Sequence, residues 1–435
     1  MFYDLELRCW RFYRVREREG NYPTRFREDS QAAWEWCGGE GEVPLRQLSA
    51  DVLAPEQSAW FEQAQQVLDV GADPKSIEWQ STQRNGEKVK RAIDAWRLLD
   101  TYYIELAVLK EGKVSVPNEK PTQQSKAFES LLPKFPSSTS DDYLGEGRCW
   151  CLCLDRVRPN ERLLHRALQL LGLEPEKFSL ASTRAGWFAI DPYTRNACIL
   201  YHRSQVAELS EALLSDFLPQ LFHILVKVDY CHRIFRDIKD LAKEIEESLE
   251  GLLHRASSSS SNLEDVESLC GELAQKQTDY LQQLKTMKYL VNTLHAQELS
   301  LLELFRHPIW RGNEDSSAAR ALRQHIQRAI RQSSIEVGYE DIVVQCSELV
   351  LESLNTRASA INAQWNRELN TRLFRLTAFA ALGLVGAVAE LFPEIPQSPN
   401  FLIRLSALPI LLVLWGLIEI FLGIKQKISR NSPAR

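Results

Sequence analysis

Four ionisable residues stand in or beside otherwise apolar sequence, at regular spacing. Leu376–Phe392 reads LTAFAALGLVGAVAELF, with Glu390 as its one charge and Arg375 immediately before it. Phe401–Ile424 reads FLIRLSALPILLVLWGLIEIFLGI and is charged only at Arg404 and Glu419. Charges in such surroundings are costly, and they pair or face a polar cavity. Arg375 and Glu390 are 15 residues apart, as are Arg404 and Glu419. Along a helix each separation is roughly 22 Å. In an antiparallel hairpin Glu390 lies level with Arg404, and Arg375 with Glu419. Two readings stand: opposite-sign pairs, within one chain or between neighbours, that set helix register, or four side chains that snorkel to the interfaces.

Upstream lies a polar row. Asn362, Asn366 and Asn370 repeat every fourth residue, with Asn355 before them, and the spacing leads on to Phe374 and Ala378. Asn is a mediocre helix former, so three in register need a reason. A solvated stalk face supplies one. A ring of amides around a water-filled axis in an oligomer supplies another, and it makes Asn362, Asn366, Asn370, Phe374 and Ala378 the candidate pore-lining residues. Gly383 and Ala387 form a small-xxx-small pair that permits close helix approach.

Cys149, Cys151 and Cys153 alternate in RCWCLCL, so a strand would project all three to one face. Three thiols can bind a soft metal or sense oxidation. The spacing is not that of a structural zinc site, and free cysteine is a common core residue. Nine cysteines is an odd count, which argues against a disulfide framework. His223 and His232 share a predicted helix without metal-ligand spacing. No metal-ligand set is evident, and no cofactor motif. Phosphate-loop, HExxH, GxSxG and Rossmann patterns are all missing, and GGEG at Gly38–Gly41 lacks a following basic residue and helix. The expectation is a protein that is not an enzyme.

The elements that would position these residues are legible in outline. A membrane-spanning helix needs about 20 mostly apolar residues, and both apolar segments qualify with their interfacial ends. They are joined by PEIPQSPN, whose three prolines break the helix. Arg367, Arg372 and Arg375 precede the hairpin, Lys425, Lys427, Arg430 and Arg435 follow it, and the loop between carries no Lys or Arg. The positive-inside rule puts both ends in the cytoplasm. The first residues have no apolar core of a signal peptide. An integral protein of the plasma or inner membrane is expected, with the lipid bilayer as its first partner.

Three long helices lead into the hairpin. The first is expected over 203–254, interrupted near Pro219. The second, 262–305, carries apolar residues at alternating three- and four-residue steps from Leu263 to Phe305, with Gln277 and Glu298 as polar exceptions. That is a coiled-coil pattern, and the five serines before it suggest an antiparallel hairpin. The third runs from about Ser333 through Asn370 and, with no breaker, into the first apolar segment. Its stripe is Val344, Leu351, Leu354, Ala358, Ile361 and Trp365.

The N-terminal part reads as mixed α/β. Strand-like alternation covers 3–15, and amphipathic helices are expected over 56–68 and 88–109. A strand at 148–157, a helix at 160–171 and strands near 178–190 and 197–202 follow. The expected domains are a cytoplasmic α/β domain over 1–202, with a flexible loop or linker at 111–147 that could divide it; an antiparallel helical hairpin or coiled coil over 203–306; a connector and stalk over 307–372; a transmembrane hairpin over 373–424; and a basic cytoplasmic tail over 425–435. The 435 residues carry a net charge of −6 with pI near 5.9, which offers no electrostatic case for nucleic acid as partner.

This order resembles the CorA-type divalent-metal transporter superfamily. NRELNTRLFRLTAFAALGLVGAVAELF, residues 366–392, looks like that family's stalk-to-membrane junction. The resemblance implies a homopentamer whose first membrane helix lines the pore, and a divalent cation as the ion handled. The family's Gly-Met-Asn motif at the outer end of that helix is missing: the place reads ELFPEIPQSPN, and the two methionines are Met1 and Met287. Two functions are therefore expected as alternatives. One is an oligomeric cation channel or transporter regulated by its cytoplasmic domain, in which the acidic stretch DIKDLAKEIEESLEG (237–251) could bind cations. The other is a membrane-anchored sensor, effector or scaffold with a cytoplasmic protein partner.

Overall fold

The N-terminal alternation forms the central strand of a sheet. The computed structural model describes residues 2–14, 22–45, 64–66, 80–84, 87–98, 101–114, 129–135, 143–206, 209–258 and 263–391, and Gly416. In chain order the elements are β1 (Phe2–Arg14), α1 (Thr24–Cys37), β2 (Ala64–Gln66), β3 (Gln80–Arg84), β4 (Glu87–Leu98), β5 (Thr101–Val114), β6 (Tyr143–Leu154), α2 (Glu161–Leu170), β7 (Ser179–Thr183), β8 (Gly186–Asp191), β9 (Asn196–His202), α3 (Leu218–Ser258), α4 (Leu263–Leu304) and α5 (Ser317–Leu391). By contacts the chain divides into two units. One is Met1–Asp237 with Met287–Glu336, the other Ile238–Thr286 with Val337–Arg435. The helical hairpin expected over 203–306 is thus shared between the units.

In the first unit the strands pair in the order β2-β4-β5-β1-β6-β9-β8-β7, with β3 also on β4. The β6–β9 pair is parallel and the others are antiparallel. A parallel pair needs a long crossover, which α2, β7 and β8 supply. Strand β1 is buried on both faces. Leu5, Leu7, Cys9 and Tyr13 join two apolar clusters on one side, while Trp10 and Phe12 meet Phe222 and His223 of α3 on the other. An irregularity in pairing between Tyr3 and Leu5, with Asp4 at φ 35°, marks a bulge of the kind that inserts a residue and bends a strand.

Three expectations change in the structure. Residues 88–109 form not an amphipathic helix but the β4–β5 hairpin. Lys, Ala, Leu and Glu give the stretch helical propensity, yet Thr101 to Val108 is buried without a break. A strand covered on both faces loses its two-residue period, and pairing with β1 overrides propensity. In the segment expected as a helix over 56–68, Ala64–Gln66 is strand paired to β4; the rest lies outside the described residues. The loop expected over 111–147 is bounded inside that range by β5 and β6, both paired to β1, so it does not divide the domain. Its described part docks: Trp36 Nε1 donates to the Leu131 carbonyl at 2.7 Å.

Other elements match the expectations closely. Helix α2 starts on the N-cap Asn160, whose Oδ1 accepts from Leu163 N at 2.9 Å. A π-helical stretch, Leu209–Phe217, runs directly into α3, so the interruption expected near Pro219 is a change of helix type at Leu218 rather than a break in the helix. Helix α4 buries Val266, Leu273, Tyr280, Leu284, Met287, Leu294 and Leu301 at the expected steps. Helix α5 begins at Ser317, well before the expected Ser333, because the break at 308–313 is a single tight connection anchored by buried Trp310 against Phe217, Phe305 and Phe188.

The second unit is built on three helical segments. Ala242, Leu249 and Leu252 of α3, Val266, Leu269, Leu273, Tyr280 and Leu284 of α4, and Val344 and Leu354 of α5 form its core. Among the described residues no helix is long and apolar enough to cross a membrane. The side chains of 384–391 and, apart from Gly416, all of 401–424 lie outside the described residues.

Candidate functional site

The polar row lies on α5, whose helix is continuous from Ser317 to Leu391. Asn362, Asn366, Asn370, Phe374 and Ala378 are all exposed, Phe374 by 76%. A four-residue step advances about 40° around a helix. The three asparagines therefore share one side, and the row winds on so that Ala378 stands roughly 160° from Asn362. Arg375 is exposed on the same helix, and a β-carbon placed on Gly383 would meet nothing within 4 Å. The Glu390 and Ala387 side chains, Arg404 and Glu419 lie outside the described residues. Gly416 is buried and helical, and a β-carbon placed on it would lie 3.3 Å from Leu376 Cδ2. That contact touches both apolar segments.

The cysteine triplet lies along β6 and is buried. Cys149 and Cys151 approach to 3.8 Å between sulfurs, and burial pushes the Cys149 thiol well above its usual range. A thiol so placed is a poor nucleophile or ligand. Beside the triplet Arg8 reaches Glu6 at 2.5 Å and Glu105 at 2.6 Å, all three buried. Burial, opposed by Arg8, raises the Glu105 carboxyl. His223 is buried and shares a hydrogen bond with Thr101 Oγ1 at 3.0 Å.

A second polar network fastens α1 to the sheet. The Asp29 carboxylate is fully buried; it accepts from the Tyr13 hydroxyl at 2.6 Å and pairs with Arg25 at 3.1 Å and Arg11 at 3.3 Å. Arg11 also lies over the Phe135 ring, 3.9 Å from its centroid, and 3.4 Å from Glu146.

A third centre, which the sequence did not announce, gathers residues far apart in the chain. Helix α3 contributes Asp229 and His232, α5 contributes His325 and Arg328, and the β8–β9 turn contributes Tyr193 and Arg195. Asp229 pairs with Arg195, and its other oxygen lies 3.3 Å from His325 Nε2. Arg195 has φ 56°, a conformation that costs a non-glycine residue about 1–2 kcal/mol, and its Nε donates to the Glu146 carbonyl at 2.9 Å. Asp191 holds this turn by accepting from Tyr193 N at 3.0 Å and Thr194 Oγ1 at 2.8 Å. Tyr193 sits edge-on to His325 at 4.9 Å and accepts from Arg328 at 3.0 Å. Burial, helped by Arg236 and opposed by Asp229 and Glu336, holds the His232 imidazole below its usual range. The Asp229–Arg195 pair thus ties the β8–β9 turn to α3, with the His325 imidazole of α5 beside it.

Among the described residues no group of three or more His, Cys, Asp and Glu is placed to hold a metal ion. In the second unit the acidic stretch of α3 brings Glu246 near Glu340, whose carboxyl is raised by burial and then by Glu246 while Lys239 opposes. Tyr280 donates its hydroxyl to that carboxyl. No protein-family model matches the chain, and no curated protein matches it.

Proposed function

We propose that the chain is an integral membrane protein of CorA-like architecture, working as a homo-oligomeric cation channel or transporter regulated by its N-terminal α/β region. Helix α5 carries this reading. It leaves a folded helical bundle, exposes Asn362, Asn366 and Asn370, and enters the apolar stretch 376–392 without a break. A helix that ended in water would have no use for that apolar end. The packing of Gly416 on Leu376 supports a returning second segment. The basic flanks put the large domain on the cytoplasmic side, and a divalent cation is the cargo class that the CorA resemblance brings. Selectivity would need a mouth other than Gly-Met-Asn.

The missing motif favours a second reading, a membrane-anchored sensor, effector or scaffold that binds a cytoplasmic protein and moves no ion. Purification in detergent, light scattering for subunit number and cation flux in liposomes separate the two. A ring oligomer with flux that falls when Asn366 and Asn370 are replaced by Leu supports the channel. A monomer without flux eliminates it.

A further inference from the structure

Two imidazoles stand beside one carboxylate in the first unit. His325 Nε2 on α5 lies 3.3 Å from Asp229 Oδ1 on α3. That nitrogen is buried, as is His232 Nδ1 on α3, and neither finds a hydrogen-bond partner among the described residues. A buried polar atom left without a partner costs stability that an apolar side chain would not, so each such atom needs a reason. A proton supplies one for His325. Imidazole is the side chain whose charge ordinarily changes between pH 5 and pH 8, and with both ring nitrogens protonated Nε2 becomes a charged donor facing a carboxylate oxygen already in reach. The oxygens of Asp229 are divided, Oδ2 to Arg195 and Oδ1 toward His325, so the proton adds a partner without displacing one. We propose that His325 operates a proton-sensitive latch that holds the start of α5 on the β8–β9 turn: protonated it bonds Asp229 and tightens the latch, and neutral it leaves that contact loose.

The turn depends on outside contacts for its shape. Arg195 at φ 56° holds a strained conformation of the kind that persists only where the surroundings over-determine it, and here Asp229 and the Glu146 carbonyl do so. Tyr193 is 57% exposed, yet its hydroxyl accepts from Arg328 at 3.0 Å and its ring stands edge-on to His325 at 4.9 Å. At the first residue of α5, Ser317 Oγ accepts from Leu180 N at 2.7 Å and donates to the Leu180 carbonyl at 2.8 Å, so the same helix end also closes the free edge of β7. His325 is therefore faced by Asp229 and His232 of α3, by Tyr193 of the turn with Arg195 across Asp229, and by Arg328 of its own helix. Around His232 burial, then Arg236, and also His325, hold the imidazole below its usual range, while Asp229 and Glu336 oppose. A second proton at this place is thus disfavoured, and the latch has one charged form.

The latch lies within the first unit and stands whether or not α5 lines a pore. Hydrogen exchange of the full-length protein in mild detergent, read by mass spectrometry, tests it. Protection of each peptide is corrected for the intrinsic pH dependence of exchange and divided by that of β1 and β5, so that a change in global stability cancels. From pH 8 to pH 5.5 the protection of 317–331 and of 191–196 rises by about threefold, the size of a partly exposed charge pair. His325→Gln and Asp229→Asn each flatten that rise, the first by removing the titrating group and the second by removing the carboxylate while keeping its shape. His232→Gln keeps the rise. Flat protection in the wild-type chain overturns the latch, and so does a rise that survives in either His325→Gln or Asp229→Asn or one that disappears in His232→Gln.

Discussion

Leu376 packs on Gly416: a β-carbon added to the glycine would sit 3.3 Å from Leu376 Cδ2. The contact joins the start of one apolar segment to the second half of the other. Gly416→Ala is expected to be tolerated by a small shift of Leu376, whereas Gly416→Leu overpacks the site and costs about 1–3 kcal/mol. Thermal unfolding in detergent checks the order of the two variants. Leu376→Cys with Gly416→Cys is expected to form a disulfide within one chain.

Asp29 anchors α1. It is fully buried and serves Tyr13, Arg11 and Arg25 at once. Removing one partner from such a network strands the others, so Asp29→Ala is expected to destabilise the first unit by about 3–5 kcal/mol. Urea unfolding followed by tryptophan fluorescence reads this; a loss below about 1 kcal/mol would show that the arginines find other partners.

Glu340 gives the opposite sign. Its carboxyl is raised by burial and then by Glu246, so the folded chain binds the proton more tightly than the unfolded chain does. Its contribution is greatest below the ordinary carboxylate range and falls as pH rises through the raised value. Glu340→Gln keeps an acceptor for Tyr280 and removes the charge beside Glu246. It is expected to melt at or above the wild-type temperature at pH 8, with a smaller difference at pH 4.5.

His232 is held below its ordinary value of 6.5, by burial first and Arg236 second. The unfolded state therefore binds more protons, and this contribution, present above pH 6.5, declines as pH falls through that value and the lower folded one. Melting temperatures from pH 8 to pH 5 should drop less in His232→Gln than in wild type. Asp229→Ala removes the carboxylate that pairs with Arg195 and lies beside His325. Because Asp229 is partly exposed, about 1 kcal/mol is expected from its loss, read as a lower melting temperature of the first unit.

Elements whose stability is local were legible in the residues. Helix α2 is announced by Asn160 as N-cap and by its apolar spacing, α4 by steps of three and four, β1 by alternation. The β4–β5 hairpin was not, because both its faces are covered and the period that marks a half-exposed strand is erased. The third polar centre was not either: Asp229, His325 and Arg195 come from a helix, another helix and a turn, and no spacing relates them.

From the sequence alone came the long helices, the strand character of the N-terminus, the alternation of the three cysteines and the two apolar segments with their charged flanks. These are consequences of periodicity and of the local clustering of apolar residues, which act over a few turns of chain. Tertiary structure decided which strands share a sheet, which carboxylates are buried and with whom, and that His325 lies beside Asp229. Each of those depends on what packs against a residue from elsewhere in the chain, and covering a surface is a property of the neighbours rather than of the segment covered.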